Sequence, residues 1–259
     1  MGMQISIAHL LLAIAAAFLA GGVNSVAGGG TLITFPTLIG VGLPAISANA
    51  TSTVAIWPGS LGSIWGFRRE LLRVPNRMKL LAIPSVAGGL LGAWMLRSTP
   101  ASVFERLVPV LILFATLLFA VQAPVQRRLQ AMGRSSHRGP WWVAGATAGQ
   151  FAVGVYGGYF GAGMSIMMLT ALALMGMEDI LEMSAMTSFL SLCTNGVASI
   201  LFIAAHMVVW PFVLAMMAAA LTGGWAAAGV ARRIGKTVVR RFVIAVGLTI
   251  AAVLFIRMV

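Results

Sequence analysis

Neutral hydrogen-bonding residues lie beside two glycine-rich positions in the sequence. Asn24 and Ser25 precede the first, Gly28-Gly29-Gly30-Thr31, and the second contains Gly161 and Gly163. Glycines at a helix start leave backbone N–H groups accessible, and the positive end of the helix dipole favours negative charge there. Such a position can hold an anion without a buried charged side chain. The pattern therefore predicts an anion-binding site formed by the two glycine breaks.

More hydrogen-bond donors follow each glycine break, one segment further along the chain. They are the hydroxyls and amides of Asn49, Thr51, Ser52, Thr187, Ser188 and Asn195. These residues are predicted to complete the binding site. The alternative interpretation is that the small residues serve close helix packing, as the spacing of Gly154 and Gly158 suggests. The sequence leaves both interpretations open.

Acidic residues are scarce, with only 5 Asp and Glu in 259 residues. Glu182 lies close to the start of an apolar segment in the second half of the chain. It is the candidate for a proton-coupling carboxylate, because ionisable groups inside membranes are costly and commonly functional. The alternative is a solvated charge at a helix N-terminus.

The sequence carries no motif for catalysis or for a cofactor. It has no P-loop, no G-x-S-x-G and no H-E-x-x-H, so energy from ATP bound by this chain alone is excluded. His9, His137 and His206 are far apart in the sequence, and Cys193 is the single cysteine, so no metal site is predicted. A membrane-embedded enzyme is disfavoured because clustered acids and histidines are missing. The prediction is a protein that is not an enzyme and needs no cofactor.

The elements that must position these residues are transmembrane helices. Hydrophobic residues make up 60% of the chain and charged residues 8%, with a mean hydropathy of +0.99. Soluble domains contain about 25% charged residues. Apolar stretches of about 20 residues recur, which is the length that crosses about 30 Å of hydrocarbon. The sequence predicts an all-α, polytopic transmembrane helix bundle in a lipid bilayer, with ten segments at 6–26, 30–42, 46–67, 78–96, 102–121, 141–157, 161–177, 183–204, 207–230 and 238–257.

The basic residues predict the orientation of these segments. The 17 Lys and Arg give a net charge of +12, but they lie in links beside apolar runs, which is typical of membrane orientation rather than nucleic-acid binding. The basic links 68–79, 122–140 and 231–241 are predicted to be cytoplasmic. The longest, 122–140, divides the chain into a first membrane repeat, 1–121, and a second, 141–259. With five segments each, the repeats are inverted relative to each other, and both termini are predicted to be periplasmic.

The glycine breaks also mark the predicted depth of the site. Segment 30–42 is short and opens on glycines, and a short, glycine-interrupted segment at matching places in two repeats indicates a binding site near the bilayer midplane. The break at 157–163 is predicted to turn the chain back, either between two full spans or in a re-entrant hairpin. An aromatic belt near the span ends is assigned to the tryptophans Trp57, Trp65, Trp94, Trp141, Trp142 and Trp210.

Two sequence stretches resemble a known family. The run from Ala27 to Pro36, followed by Ala48-Asn49-Ala50-Thr51-Ser52, is similar to the repeat motif of the sulfite exporter TauE/SafE family. The run from Gly158 to Gly163 with Met186-Thr187-Ser188 resembles its second copy. The resemblance implies a secondary transporter that moves a small sulfur-containing anion, such as sulfite or a sulfonate, across the bacterial inner membrane. A passive anion channel, a transporter of another small solute, and a homo-oligomeric assembly are left open.

Overall fold

The computed structural model describes residues 6–26, 29–131, 140–177, 179–234 and 236–258. All regular secondary structure in these ranges is helical. The helices are α1 (Ile7–Val26), α2 (Thr31–Gly40), α3 (Ala45–Ile56), α4 (Gly59–Gly66), α5 (Arg68–Arg73), α6 (Asn76–Lys79), α7 (Ala82–Ser98), α8 (Ala101–Ala131), α9 (Pro140–Tyr159), α10 (Met164–Leu174), α11 (Ile180–Ala204), α12 (Trp210–Ile234) and α13 (Lys236–Met258). The predicted all-α class is confirmed.

The surface of the helices suits hydrocarbon. Four described stretches are long and apolar enough to cross a membrane, namely Ile7–Asn24, Asn76–Ser98, Ala101–Val121 and Ile180–Ala204. Large apolar side chains are exposed along the helices, and Ile7, Ile200 and Trp225 are 79%, 65% and 85% exposed. Such a surface is unfavourable in water, so lipid must cover it. The chain is a multi-pass membrane protein.

The helices differ from the predicted segments in three places. The segment predicted at 46–67 is divided into α3 and α4, because Pro58 has no N–H group and cannot continue a straight helix. The basic stretch 68–79 forms the short helices α5 and α6 instead of an irregular link. Helix α8 continues to Ala131, well into the stretch 122–140 that was predicted as a polar link.

Both glycine breaks separate a long helix from a short one. After α1 the chain passes Gly29, whose φ is 90°, and begins α2. After α9 it passes Gly161 and Gly163, with φ of 76° and 78°. These left-handed conformations favour glycine because it has no Cβ. Helix α10 has 11 residues and reaches only about 16 Å, so it is too short to span the hydrocarbon.

The second break folds the chain back on itself, as predicted. Any Cβ on Gly157 would collide with the Met164 side chain, so the start of α10 packs against the end of α9. Met175 and Met183, at the far end of α10 and the start of α11, lie in one apolar cluster with Val74 and Leu81. The loop after α10 and the stretch before α7 therefore border the same apolar cluster.

Glycine contacts join the two halves of the chain in the same way twice. Gly158 of α9 packs on the backbone of Gly89 in α7, and Gly92 of α7 packs on the backbone of Val155 in α9. A matching pair of contacts joins α1 and α12, where Gly21 meets Ala220 and Gly223 meets Phe18. The first helix of each half thus lies against a helix of the other half. The division into two repeats and their inverted relation stay predictions.

Candidate functional site

The two glycine breaks converge on one face of α8. A Cβ placed on Gly29 would lie 2.8 Å from the Phe119 ring, and one placed on Gly163 would lie 3.5 Å from Ala115 and Leu118. Positions 115 and 119 are one helical turn apart, so they share a face of α8. They lie about 21–27 Å from the first residue of α8. The breaks therefore meet deep inside the bundle.

Aromatic rings fill the space between the two breaks. Phe35 of α2 contacts Phe160 of the second break edge to face, with ring centroids 5.2 Å apart. Phe35 also meets Phe104 of α8 at 6.5 Å, and Tyr156 meets Phe160 at the same separation. Helix α2 and the second break are thus in contact through an apolar cluster. Any polar site must lie at the margin of this cluster.

At the first break, the backbone N–H of Gly30 is hydrogen-bonded to a side chain. The Gly30 N–H donates to Asn24 Oδ1 at 2.7 Å, while the Gly30 carbonyl accepts from the Thr34 N–H and hydroxyl at 3.1 and 3.3 Å. Thr31 is buried as the first residue of α2. Ser25 belongs to α1, and Gly28 lies outside the described residues. An amide oxygen therefore stands where the predicted anion would contact Gly30.

Two of the predicted hydroxyls on α3 already have partners. Ser52 Oγ lies 2.6 Å from Thr34 Oγ1 of α2, and both side chains are fully buried. Thr51 Oγ1 accepts from the Val209 N–H at 3.1 Å, just before α12 begins. These contacts hold α3 against α2 and α12. The Thr51 hydroxyl proton remains available, since its oxygen acts only as an acceptor in that bond.

Asn49 connects the first half of the chain to the second break. Its Nδ2 donates to the Tyr159 carbonyl at 3.0 Å, and only this amide orientation is consistent with a carbonyl partner. Asn49 is 1% exposed, yet its Oδ1 has no hydrogen-bond partner. A buried acceptor without a partner costs free energy, which calls for an explanation such as a bound water or ligand. Asn49 is thus a predicted site residue with a buried hydrogen-bond acceptor that has no donor.

The second break brings other predicted residues near this position. Asn195 of α11 approaches Gly161, because a Cβ on Gly161 would lie 3.9 Å from Asn195 Oδ1. The Tyr156 hydroxyl donates to the Ala162 carbonyl at 2.6 Å and so fixes the turn. Gly163 is the residue before α10. Asn49 and Asn195 thus reach the same turn from two different helices.

The predicted residues Thr187 and Ser188 differ in their hydrogen bonding. The Thr187 hydroxyl is buried and has no partner, so it can still bind a solute or water. The Ser188 hydroxyl donates to the Ser184 carbonyl at 2.9 Å within its own helix. Glu182 is half-buried in the first turn of α11, where Asp179 Oδ1 accepts from the backbone N–H groups of Leu181 and Glu182. Asp179 is therefore the helix cap, and Glu182 stays a coupling candidate.

A buried polar cluster between α7, α9 and α11 was not identified from the sequence. Gln150 Nε2 donates to Ser85 Oγ at 2.8 Å, and Thr194 Oγ1 donates to the Ser85 carbonyl at 3.4 Å. Gln150 is fully buried, and its Oε1 has no partner. The available signal was a glutamine inside an otherwise apolar span. This cluster adds a second free acceptor to the interior of the bundle.

The aromatic-belt interpretation is wrong for Trp57. Its Nε1 donates to the Leu192 carbonyl of α11 at 3.1 Å, and its ring packs on Gly196. An indole bonded to the helix backbone inside the bundle is a packing element rather than a membrane-interface residue. Trp57 fixes the junction of α3 and α4 against α11.

No group of histidine, cysteine and acidic side chains in the described part of the chain is arranged to hold a metal ion. The groups that converge at the breaks are amides, hydroxyls and backbone carbonyls. They can bind a small polar solute by hydrogen bonds. Together with the lipid-facing surface, they define a multi-pass membrane protein whose two glycine breaks carry uncharged polar groups.

Comparison with known proteins identifies the family of this membrane protein. The sulfite exporter TauE/SafE family matches residues 13–254, and the chain belongs to this family of membrane transporters. It is 27% identical over 245 residues to a "Probable membrane transporter protein" of Haemophilus influenzae, covering 93% of this chain and 92% of the relative.

Two further relatives carry names of the same kind. The chain is 26% identical over 243 residues to "Probable membrane transporter protein YfcA" of Escherichia coli K12, covering 91% of this chain and 86% of that protein. It is 28% identical over 246 residues to "Probable membrane transporter protein ORF9" of a Sinorhizobium species, covering 94% of this chain and 91% of that protein. No solved structure matches the chain significantly.

Proposed function

We propose that the protein is a secondary transporter that moves a small sulfur-containing anion, such as sulfite or a sulfonate, across the bacterial inner membrane. Both termini are periplasmic in this proposal, and the substrate binds where the two glycine breaks approach α8. The observation that carries it is the convergence of both breaks on positions 115–119 of one buried helix face. The name of the family supports the substrate class.

The free polar groups restrict the chemistry of the substrate. Asn49 Oδ1 at the second break can only accept hydrogen bonds, whereas the Gly30 N–H at the first break donates. A substrate that fits both carries oxygen acceptors together with a proton donor. Hydrogen sulfite has an O–H group, and taurine has an ammonium group beside its sulfonate. A fully ionised sulfate would leave Asn49 Oδ1 without a partner unless water joined it.

The Asn24 side chain gives a model for how an anion could enter the first break. Its Oδ1 is a partly negative oxygen on the Gly30 N–H, at 2.7 Å. The Asn24 side chain is exposed, so its amide can bond to water once it leaves the Gly30 N–H. A substrate oxygen can then replace it on the same N–H group at the start of α2. Binding and displacement of Asn24 would be one event.

Two measurements on purified protein test this function. In a thermal-unfolding screen with sulfite, sulfate, thiosulfate, sulfoacetate and taurine, a ligand that binds only the folded state raises the unfolding temperature. Reconstituted vesicles loaded with unlabelled ligand should then take up labelled ligand by counterflow, which a passive channel does not support against a gradient. Failure of all these solutes in both assays would contradict the sulfur-anion proposal, and downhill flux without counterflow would favour the channel.

A further inference from the structure

A basic cavity lies where the short helices α5 and α6 meet α11. It has a volume of about 370 Å³ and is lined by Arg68, Arg69, Leu71, Leu72, Lys79 and Phe189. This volume falls within the roughly 300–1,000 Å³ of small-molecule sites. Half of the lining residues are cations and none is acidic, but they line the cavity with their aliphatic stems, so its wall is almost entirely apolar. The cavity therefore favours an apolar occupant whose negative charge lies next to these cations.

Two cations of the cavity, Arg68 and Lys79, have neutral partners among the described residues. Arg68 donates to the Trp65 carbonyl at 2.8 Å, and its guanidinium carbon is 4.9 Å from the Trp65 ring centroid. Lys79 Nζ donates to Asn76 Oδ1 at 3.3 Å. Within the described ranges, neither these two residues nor Arg69 forms an ion pair. Neutral partners position Arg68 and Lys79 and leave their charge free to act on a ligand.

The remaining wall of the cavity is apolar. Leu71 and Leu72 come from α5, and Phe189 comes from α11, about 13 Å along that helix from its first residue. Leu72 is 79% exposed, and the neighbouring Trp65 is 71% exposed. A free inorganic anion gains nothing from leucine and phenyl groups. An amphiphile with a negative head and a hydrocarbon body uses both kinds of wall.

We propose that this cavity binds an anionic phospholipid. Its phosphate contacts Arg69 and Lys79, and its glycerol and first acyl carbons lie along Leu72 and Phe189. The three cations of the cavity belong to the basic link 68–79, which is predicted to be cytoplasmic, so the proposal places the cavity at the cytoplasmic end of the bundle. Basic residues next to a membrane attract anionic lipids by about 1 kcal/mol each. Nothing in the proposed transport cycle requires this site.

The lipid would act on the helix that carries part of the predicted transport site. Phe189 directly follows Thr187 and Ser188 on α11. A bound lipid fills the space between α5 and α11 and so holds the basic helices against that helix. The lipid is therefore a structural partner of the bundle and is not transported.

Native mass spectrometry of the delipidated full-length protein in neutral detergent tests the proposal. The protein is titrated with dioctanoyl phosphatidylglycerol, dioctanoyl phosphatidylcholine or inorganic phosphate. We expect saturable binding of the phosphatidylglycerol and at least tenfold weaker binding of the other two. Equal binding of phosphatidylcholine would show that only the apolar wall acts. Equal binding of inorganic phosphate would show a site for soluble anions. Either result overturns the lipid assignment.

Variants locate the binding. Arg69→Gln and Lys79→Gln should each weaken phosphatidylglycerol binding about fivefold, which is the loss of one cation near the surface. Arg97→Gln is the matched control, because Arg97 is exposed in the last turn of α7, away from the cavity, and its loss should leave binding unchanged. Binding that persists in the Arg69→Gln, Lys79→Gln double variant, or that falls equally in Arg97→Gln, would place the lipid elsewhere.

Discussion

Replacing Asn49 by leucine separates a binding role of this residue from a purely structural one. The side chain is 1% exposed, its Nδ2 donates to the Tyr159 carbonyl at 3.0 Å, and its Oδ1 has no partner. Leucine has a similar size and removes both polar atoms at once. The substitution therefore changes hydrogen bonding more than packing.

Two opposing terms determine the stability of the Asn49→Leu variant. The Tyr159 carbonyl loses its donor, which costs about 1–3 kcal/mol if it stays buried. Removing the unpartnered Oδ1 relieves a burial cost of the same order. We expect the free energy of unfolding to change by about 1 kcal/mol or less, which is a shift of roughly 2–4 °C in unfolding temperature for a chain of this size. If Oδ1 binds the substrate, affinity falls by about 2- to 12-fold, which corresponds to about 0.5–1.5 kcal/mol.

Thermal unfolding and counterflow uptake on the same preparation measure both effects. Thr170→Val is the matched control, because the Thr170 hydroxyl donates only to the Ile166 carbonyl of its own helix, at 2.9 Å. It should keep both stability and affinity. An Asn49→Leu protein that unfolds far below the wild type, yet binds substrate normally while folded, would refute the reasoning and make Asn49 a packing residue.

The other predictions concern a hydrogen bond between helices, glycine packing, proton coupling and membrane topology. Thr51→Val leaves the Val209 N–H without its acceptor and should lower the free energy of unfolding by about 1–3 kcal/mol, measured by thermal unfolding. Gly158→Ala places a methyl group against the Gly89 carbonyl and should destabilise strongly, whereas Gly62→Ala on α4, with no atom within 4 Å, should be neutral or slightly stabilising. Glu182→Gln should abolish pH-driven uptake while leaving binding intact if Glu182 relays protons, and unchanged uptake would make it a helix-terminal charge. Cysteine labelling should place 68–79, 122–140 and 231–241 in the cytoplasm and both termini outside, and a cytoplasmic C-terminus would contradict the inverted arrangement.

Much of the architecture could be predicted because apolar length, glycine and charge are local features. Nine of the ten predicted segments correspond to one helix each, including the short α2 and α10, and the breaks lie at the predicted glycines. The division at Pro58 is also predictable from sequence, because proline lacks the N–H group that a helix interior needs. The continuation of α8 through residues 122–131 is not predictable in this way. Polar composition there resembled a loop, although glutamine and arginine are good helix formers.

The arrangement of the site depended on partners far apart in the sequence. Asn49 and Tyr159 are separated by 110 positions, and Trp57 and Leu192 by 135. No local pattern distinguishes a hydroxyl that holds another helix, such as Thr51, from one that is free, such as Thr187. Gln150 was overlooked because an isolated amide in an apolar span carries no periodic pattern. The sequence therefore indicated which residue types matter, but not which of them are already engaged.

The reciprocal glycine contacts between the halves also constrain how the chain assembles during synthesis. Gly21 and its partner Ala220 are 199 positions apart, so α1 enters the membrane long before α12 exists. At translation rates of about 5–20 residues per second, that delay is roughly 10–40 s. During this time the glycine face of α1 must rest against lipid or an insertion factor. Helix α1 thus stays in the membrane without this packing partner until α12 has been made.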